Sequence, residues 1–196
     1  MKIYLIRHGE TDWNAQGRIQ GREDIPLNAV GRAQAMRCGV ALQGQGIERV
    51  VTSPLQRALE TGQWIAEAVG HVPVTVDTGL IEREFGSWSG KIFADIYHPD
   101  VPVVGAEPLE EVGARMLAVL QRLAAGPEQA VAAVSHGGAI NALLLLLSGG
   151  TFGSGITRLK NSCISVVSAA NGKFAVQVYN LSPEEFEGQF PRPERL

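Results

Sequence analysis

Short β-rich runs alternating with amphipathic helices predict an α/β fold: a three-layer sandwich with a mostly parallel central sheet, one antiparallel edge strand and helices on both faces. Three observations carry this reading. Ala130 to Val134 is apolar throughout, as a strand covered on both faces must be. Amphipathic stretches separate the early strands, which provides the crossovers that parallel pairing needs. Two late β-rich runs are joined through Asn171-Gly172, which supplies the positive φ angles of a tight hairpin.

In chain order, Lys2 to Ile6 is the first strand, Gly31 to Leu42 the first helix and Arg49 to Thr52 the second strand. Ser53-Pro54-Leu55-Gln56 reads as a helix start, with an N-cap serine, proline at the first position and glutamine completing a capping box; Leu55, Leu59, Ile65, Ala66 and Val69 mark the buried face. Val74 to Val76 is a further short strand, and Lys91 to Tyr97 a short helix. Leu109, Val112, Met116, Val119, Leu120 and Leu123 recur at helical spacing until Gly126-Pro127 stops them. A helix follows from Gly138 to Leu147, and the strands Ser162 to Val167 and Phe174 to Tyr179 close the series. Residues 1–181 are expected to form one domain with a short lid at about 91–106, and residues 182–196, with three prolines, an irregular tail.

Composition narrows the function. The 196 residues are 45% hydrophobic and 19% charged, with a net charge of −3, so no basic field is on offer to nucleic acid or to a membrane surface. Any small anion must be held by a few placed cations. The longest apolar stretch, Ala142 to Leu147, is too short to span a bilayer, and the N-terminal apolar run too short for a secretory signal. Cys38 and Cys163 show neither disulfide nor metal-ligand spacing, so a cytoplasmic protein without a metal or cofactor is expected.

Two of the four histidines share a context. His8 follows the first strand in Arg7-His8-Gly9, and His136 follows the apolar strand in Ser135-His136-Gly137-Gly138. Ligands of open α/β sheets bind outside the carboxyl ends of strands, so the two histidines are candidates for one pocket. The amides at the start of the following helix would face an anion there. Arg7, at a strand end, needs a partner, and phosphate is a natural bidentate one. His71 and His98, each near a proline, read as loop residues at the surface.

Four segments in order, Arg7-His8-Gly9-Glu10-Thr11 with Trp13-Asn14, Ser53 to Thr61, Leu80 to Gly86 with Trp88 and Gly90, and Ser135-His136-Gly137-Gly138, resemble the histidine phosphatase superfamily in its phosphoglycerate-mutase-like branch. The resemblance runs from Lys2 to about Val167 and implies a parallel sheet with one antiparallel edge strand. It implies His8 as the phosphoryl-accepting nucleophile and Glu82 as general acid. Arg7, Arg57 and a protonated His136 would surround the phosphate, with Asn14, Gln20, Gly21 and Gly137 as further binding positions. Glu84 competes with Glu82, and only one of them is expected in the pocket. Trp13 and Trp88 read as packing. Asn161-Ser162 resembles the family's segment before a late strand.

The implied activity is metal-free hydrolysis of a small phosphorylated metabolite through phosphohistidine. The substrate is left open among α-ribazole phosphate, a phosphosugar, phosphoglycerate or a broad range, and a homodimer is left open too. The alternatives are a 2,3-bisphosphoglycerate-dependent phosphoglycerate mutase and a non-catalytic binding protein of the same fold. Mutases of the family carry extra chain between the general acid and the second histidine; the short Glu82 to His136 segment therefore favours the phosphatase. One departure stands out: small phosphatases of this family often have Gly-Glu-Ser where this chain has Gly105-Ala106-Glu107-Pro108, which alters the start of the next helix.

Overall fold

Six β-rich runs hydrogen-bond into a single sheet in the computed structural model, which describes residues 1–96 and 103–191. His98, part of the expected lid, and residues 192–196 of the expected tail lie outside them. The strands are β1 (Lys2–Arg7), β2 (Arg49–Thr52), β3 (Val74–Val76), β4 (Ala130–Ser135), β5 (Ile164–Ala170) and β6 (Lys173–Leu181), in the order β3-β2-β4-β1-β5-β6. From β3 to β1 all pairing is parallel, and β5 and β6 add an antiparallel pair at one edge. Asn171 and Gly172 make their turn with φ of 51° and 73°, the left-handed pair that a two-residue hairpin needs.

Alternation along the central strands feeds two cores. Ile3, Leu5, Val131 and Ala133 pack on one face with α5 (Leu109–Ala124) and α6 (Gly137–Leu147). Tyr4, Ile6, Ala132 and Val134 pack on the other with α2 (Ala29–Ala41) and α3 (Gln56–Ala68). β4 is buried at every residue, as its apolar run requires. Two short helices, α1 (Asp12–Ala15) and α4 (Phe93–Ile96), flank the loop after β1 and the segment before α5.

Two expectations are corrected. Residues 183–189 of the expected irregular tail form helix α7 (Pro183–Gln189): Ser182 and Glu185 make a reciprocal capping box with Pro183 in the first turn. Phe186, fully buried, anchors α7 edge-on against Tyr4 at 6.1 Å between ring centroids, and Glu184 and Glu187 pair with Arg37 of α2. Conversely, Ser53 does not cap α3. The helix begins at Gln56, whose amide is taken by the Asp24 carboxylate at 2.7 Å, so a side chain from another loop does the capping.

The loop after β1 is fastened to the start of α2. Glu10 accepts from the Asn28 backbone at 3.0 Å, and its amide donates to Gln34 at 2.9 Å. Backbones touch here: a Cβ on Gly31 would lie 2.0 Å from the Glu10 carbonyl oxygen, and one on Gly9 would lie 2.3 Å from that of Gly31. Gly31→Ala should therefore destabilise the protein by about 1–3 kcal/mol, although alanine is the better helix former. Urea denaturation measures this, and equal or higher stability would contradict the close approach.

Candidate active site

Parallel pairing of β1 with β4 brings the two histidines together. Arg7 lies opposite Ser135, and the His8 amide donates to the Ser135 carbonyl at 3.0 Å, so the residues just past each strand are neighbours. The imidazole centroids are 5.1 Å apart. Arg7, His8, Asn14, Gln20, Gly21, Arg57, Glu82 and Gly137 line a single cleft of about 1120 Å³ at this end of the sheet. His136 is fully buried beside His8 and does not line the cleft itself.

Each group is held by its neighbours. His8 Nδ1 lies 2.6 Å from the Gly9 carbonyl, which can only accept, so the proton is on Nδ1 and the Nε2 lone pair is unencumbered. Burial, then Arg57 and Arg7, holds the His8 pKa well below the usual histidine value. Arg57, with no exposed surface, donates to the carbonyls of Glu23 at 2.6 Å and Gly21 at 2.8 Å, and so ties the 20–23 loop to α3. Desolvation pulls its pKa down to about 10, which leaves it charged at neutral pH. Arg7 donates to the Leu159 carbonyl at 2.6 Å. The Nε atoms of both arginines are buried without a partner among the described residues, and phosphate oxygens are acceptors suited to them.

Burial, then Arg57, His8 and Arg7, lowers the His136 pKa well below the usual value, which opposes the protonated form expected for it. Asn14 is the third residue of α1, and its side-chain oxygen receives Thr11 at 3.2 Å and Asn161 at 3.2 Å, which leaves its amide N–H groups as the available donors.

Glu82 takes the place foreseen for an external anion. Its carboxylate accepts from Ala139 N at 2.8 Å, Gly138 N at 3.0 Å and Arg83 N at 2.7 Å, so two amides at the start of α6 are satisfied by the protein's own side chain. A Cβ on Gly138 would lie 2.7 Å from Glu82 Oε1, so a larger residue there would displace the carboxylate. Glu84 is absent from the cleft lining and accepts from Gly86 N at 3.0 Å. The Glu82 segment is braced from behind. Arg115 donates to the carbonyls of Gly79, Ile81 and Glu82 at 2.6–3.1 Å while its other edge meets Glu107 at 2.8 and 3.0 Å. Glu107 thus acts behind the cleft, and Pro108 leaves α5 without a side-chain cap.

Two further residues join the site through tertiary contacts. Ser53, a helix cap by its local sequence, places Oγ 2.7 Å from His136 Nε2. Asn161, marked only by resemblance, donates to the His8 carbonyl at 3.2 Å and lines the cleft. The signal for Ser53 is its position: β2 lies beside β4, so the residue after it meets the residue after β4. Arg18, Arg158 and Lys160 line the outer cleft with Ile92, Phe93 and Ile156. Among the described residues no three His, Cys, Asp or Glu side chains group as a metal site, and no helix is long and apolar enough to cross a membrane.

The profile of the Histidine phosphatase superfamily (branch 1) matches residues 3–182. The chain is similar to the uncharacterized phosphatase PhoE of Bacillus subtilis, 38% identical over 183 residues, which cover 92% of this chain and 94% of PhoE. It is also similar to the probable phosphoglycerate mutase GpmB of Klebsiella pneumoniae, 34% identical over 85% of this chain and 84% of the relative. Among solved structures, a mycobacterial glucosyl-3-phosphoglycerate phosphatase bound to VO3 superposes with a TM-score of 0.81 at 30% identity, over 92% of this chain and 99% of the other. A phosphoserine phosphatase mutant from Entamoeba histolytica, in complex with phosphoserine, gives 0.80 at 27% identity over 94% and 98%. On a match of this extent, the chain belongs to the histidine phosphatase superfamily.

Proposed function

We propose that this protein hydrolyses small phosphomonoesters through a phosphohistidine on His8, without a metal. The observation that carries the reading is the neutral His8 ring, locked by Gly9 with its Nε2 lone pair unencumbered, beside two buried guanidinium groups. Imidazole attacks only when neutral, and the phosphoryl oxygens need fixed positive charge; here burial, helped by the charge of the two arginines that would bind the phosphate, keeps His8 deprotonated.

In the first step Nε2 of His8 forms a bond to phosphorus as the ester P–O bond breaks. Glu82, entering as the acid, gives its proton to the leaving alkoxide. In the second step the Glu82 carboxylate takes a proton from water, the oxygen attacks phosphorus and the N–P bond breaks, returning neutral His8 and phosphate. Arg7, Arg57 and Asn14 hold the equatorial oxygens, and the Gln20-Gly21 loop, tied to Arg57, covers the ester.

The PhoE, glucosyl-3-phosphoglycerate phosphatase and phosphoserine phosphatase likenesses support hydrolysis over transfer back to substrate. The outer cleft, with cations and apolar side chains, suits a small phosphorylated metabolite. Residues 1–181 form the catalytic domain in this reading. Both cysteines are buried and free, which supports a cytoplasmic location.

Incubated with a labelled phosphomonoester and quenched in alkali, the protein should carry acid-labile label that His8→Ala lacks; equal labelling of the variant would refute the nucleophile. In the same assay, 3-phosphoglycerate run with and without 2,3-bisphosphoglycerate should yield free phosphate, whereas an isomeric product would make the protein a mutase. Glu82→Gln should slow alkyl esters by about 10²–10⁴-fold and p-nitrophenyl phosphate far less, because only the poor leaving group needs the proton. Equal losses on both would count against the general acid.

The buried neutral rings also set a pH dependence of stability. His8 and His136 stay neutral when folded but take up a proton near 6.5 when unfolded, so the unfolded chain binds more protons as pH falls below that value. Stability is complete above it and declines below. From about pH 7 to about pH 5.5 each ring should cost about 1 kcal/mol, and His8→Gln should remove about half of the part due to the pair. Denaturant titration at several pH values measures the slope, and an unchanged slope in the variant would show that His8 does not stay neutral.

A further inference from the structure

We propose that Ser53 is a positioning residue that sets the tautomer of His136, so that this neutral ring presents an N–H donor at Nδ1 to the phosphoryl group. The donor role rests on the reading of the site as a phosphoryl-transfer centre; the tautomer does not.

Hydrogen-bond capacity at a dry site carries the inference. Ser53 and His136 are both fully buried, and Ser53 Oγ lies 2.7 Å from His136 Nε2, a distance that commits the two atoms to a hydrogen bond. Ser53 Oγ already accepts from the Leu55 amide at 3.3 Å. A hydroxyl has one proton to place, and the acceptor that the described residues put within reach is Nε2. Were Nε2 the protonated nitrogen, Oγ would receive two donors and its own proton would have no acceptor in a site closed to water, at a cost of about 1–3 kcal/mol. The arrangement is satisfied when Ser53 donates to Nε2, and a neutral ring then carries its proton on Nδ1.

His136 Nδ1 is buried without a partner among the described residues. A donor in that state is costly until an acceptor arrives, and phosphoryl oxygens are the acceptors this site is built to receive. A protonated ring would also donate there, but Arg7, Arg57 and burial oppose the charge. The serine makes the charge unnecessary, because it fixes the proton on the right nitrogen of an uncharged ring. Ser53 enters from the end of β2, one strand beyond the β1–β4 pair. Three adjacent strands therefore each contribute one group at this end of the sheet: His8 on the cleft, His136 buried beside it, and the hydroxyl that orients His136.

The test is a ring ¹⁵N–¹H correlation spectrum of histidine-labelled protein near neutral pH, with the His136 signals assigned by their loss in His136→Gln. The expected result is a protonated Nδ1 and an unprotonated Nε2 in the wild type, with the Nε2–H form gaining population in Ser53→Ala. Turnover of phosphomonoesters by Ser53→Ala should fall about tenfold or more in kcat with a smaller change in KM, and Ser53→Thr, which keeps a hydroxyl, should restore the wild-type tautomer. A wild-type ring protonated at Nε2 would overturn the proposal without any variant, as would a tautomer that Ser53→Ala leaves unchanged. Absence of label on His8 would refute the phosphatase reading, whereas the tautomer assignment stands or falls on the spectrum alone.

Discussion

The site depends on the in-register parallel pairing of β1 with β4, which sets Arg7 opposite Ser135. A parallel ladder carries both chains out of the sheet at the same end, so one register places Arg7 and His8 from the first strand beside His136 and the α6 amides from the fourth. Slipping that pairing by one residue would turn every side chain of β1 to the other face and exchange the two cores. Because Tyr4 and Ile6 are specified to one core and Ile3 and Leu5 to the other, hydrophobic burial holds the catalytic geometry. Stability and function share the same constraint.

Around that ladder the protein arranges cations where they cost most. Burying Arg57 completely is unfavourable by itself, and it is offset by carbonyl acceptors on the 20–23 loop and by the nearby carboxylates of Glu82 and Asp24. Burial, and after it the same guanidinium, disfavours protonation of His8 and His136. The chain's slight overall negative charge is thus no obstacle to anion binding, since the charge that matters is local and desolvated.

Glu82 is fixed from two sides: by the α6 amides at its carboxylate and by Arg115, clamped by Glu107, at its backbone. This second support gives the departed Gly-Ala-Glu-Pro segment a physical meaning. Glu107 orients an arginine that holds the carbonyls of 79, 81 and 82, and Pro108, outside that clamp, leaves α5 without a side-chain cap.

Local chemistry alone determined much of this molecule. The apolar run of β4, the Asn-Gly hairpin and the helical stripe of α5 are local patterns, and each specifies its element wherever it is placed. Ser182-Pro183-Glu184-Glu185 is equally local: its capping box specifies α7, although the prolines around it suggest an irregular tail. Arg7, His8, Glu82 and Arg57 are legible through motif order, but their motifs do not say that Glu82 would occupy the α6 amides or that His136 would be neutral. Those outcomes depend on burial and on charges brought close from distant segments, which no linear spacing encodes. Ser53 shows the limit most clearly: Ser-Pro-Leu-Gln is a sound local signal for a helix cap, yet the neighbouring strand delivers a histidine to that hydroxyl and another loop delivers Asp24 to the helix. The sequence by itself determined the elements and the reactive groups, because those follow from side-chain chemistry and period. Only the tertiary structure decided which polar atoms meet, because that follows from the strand order of the sheet.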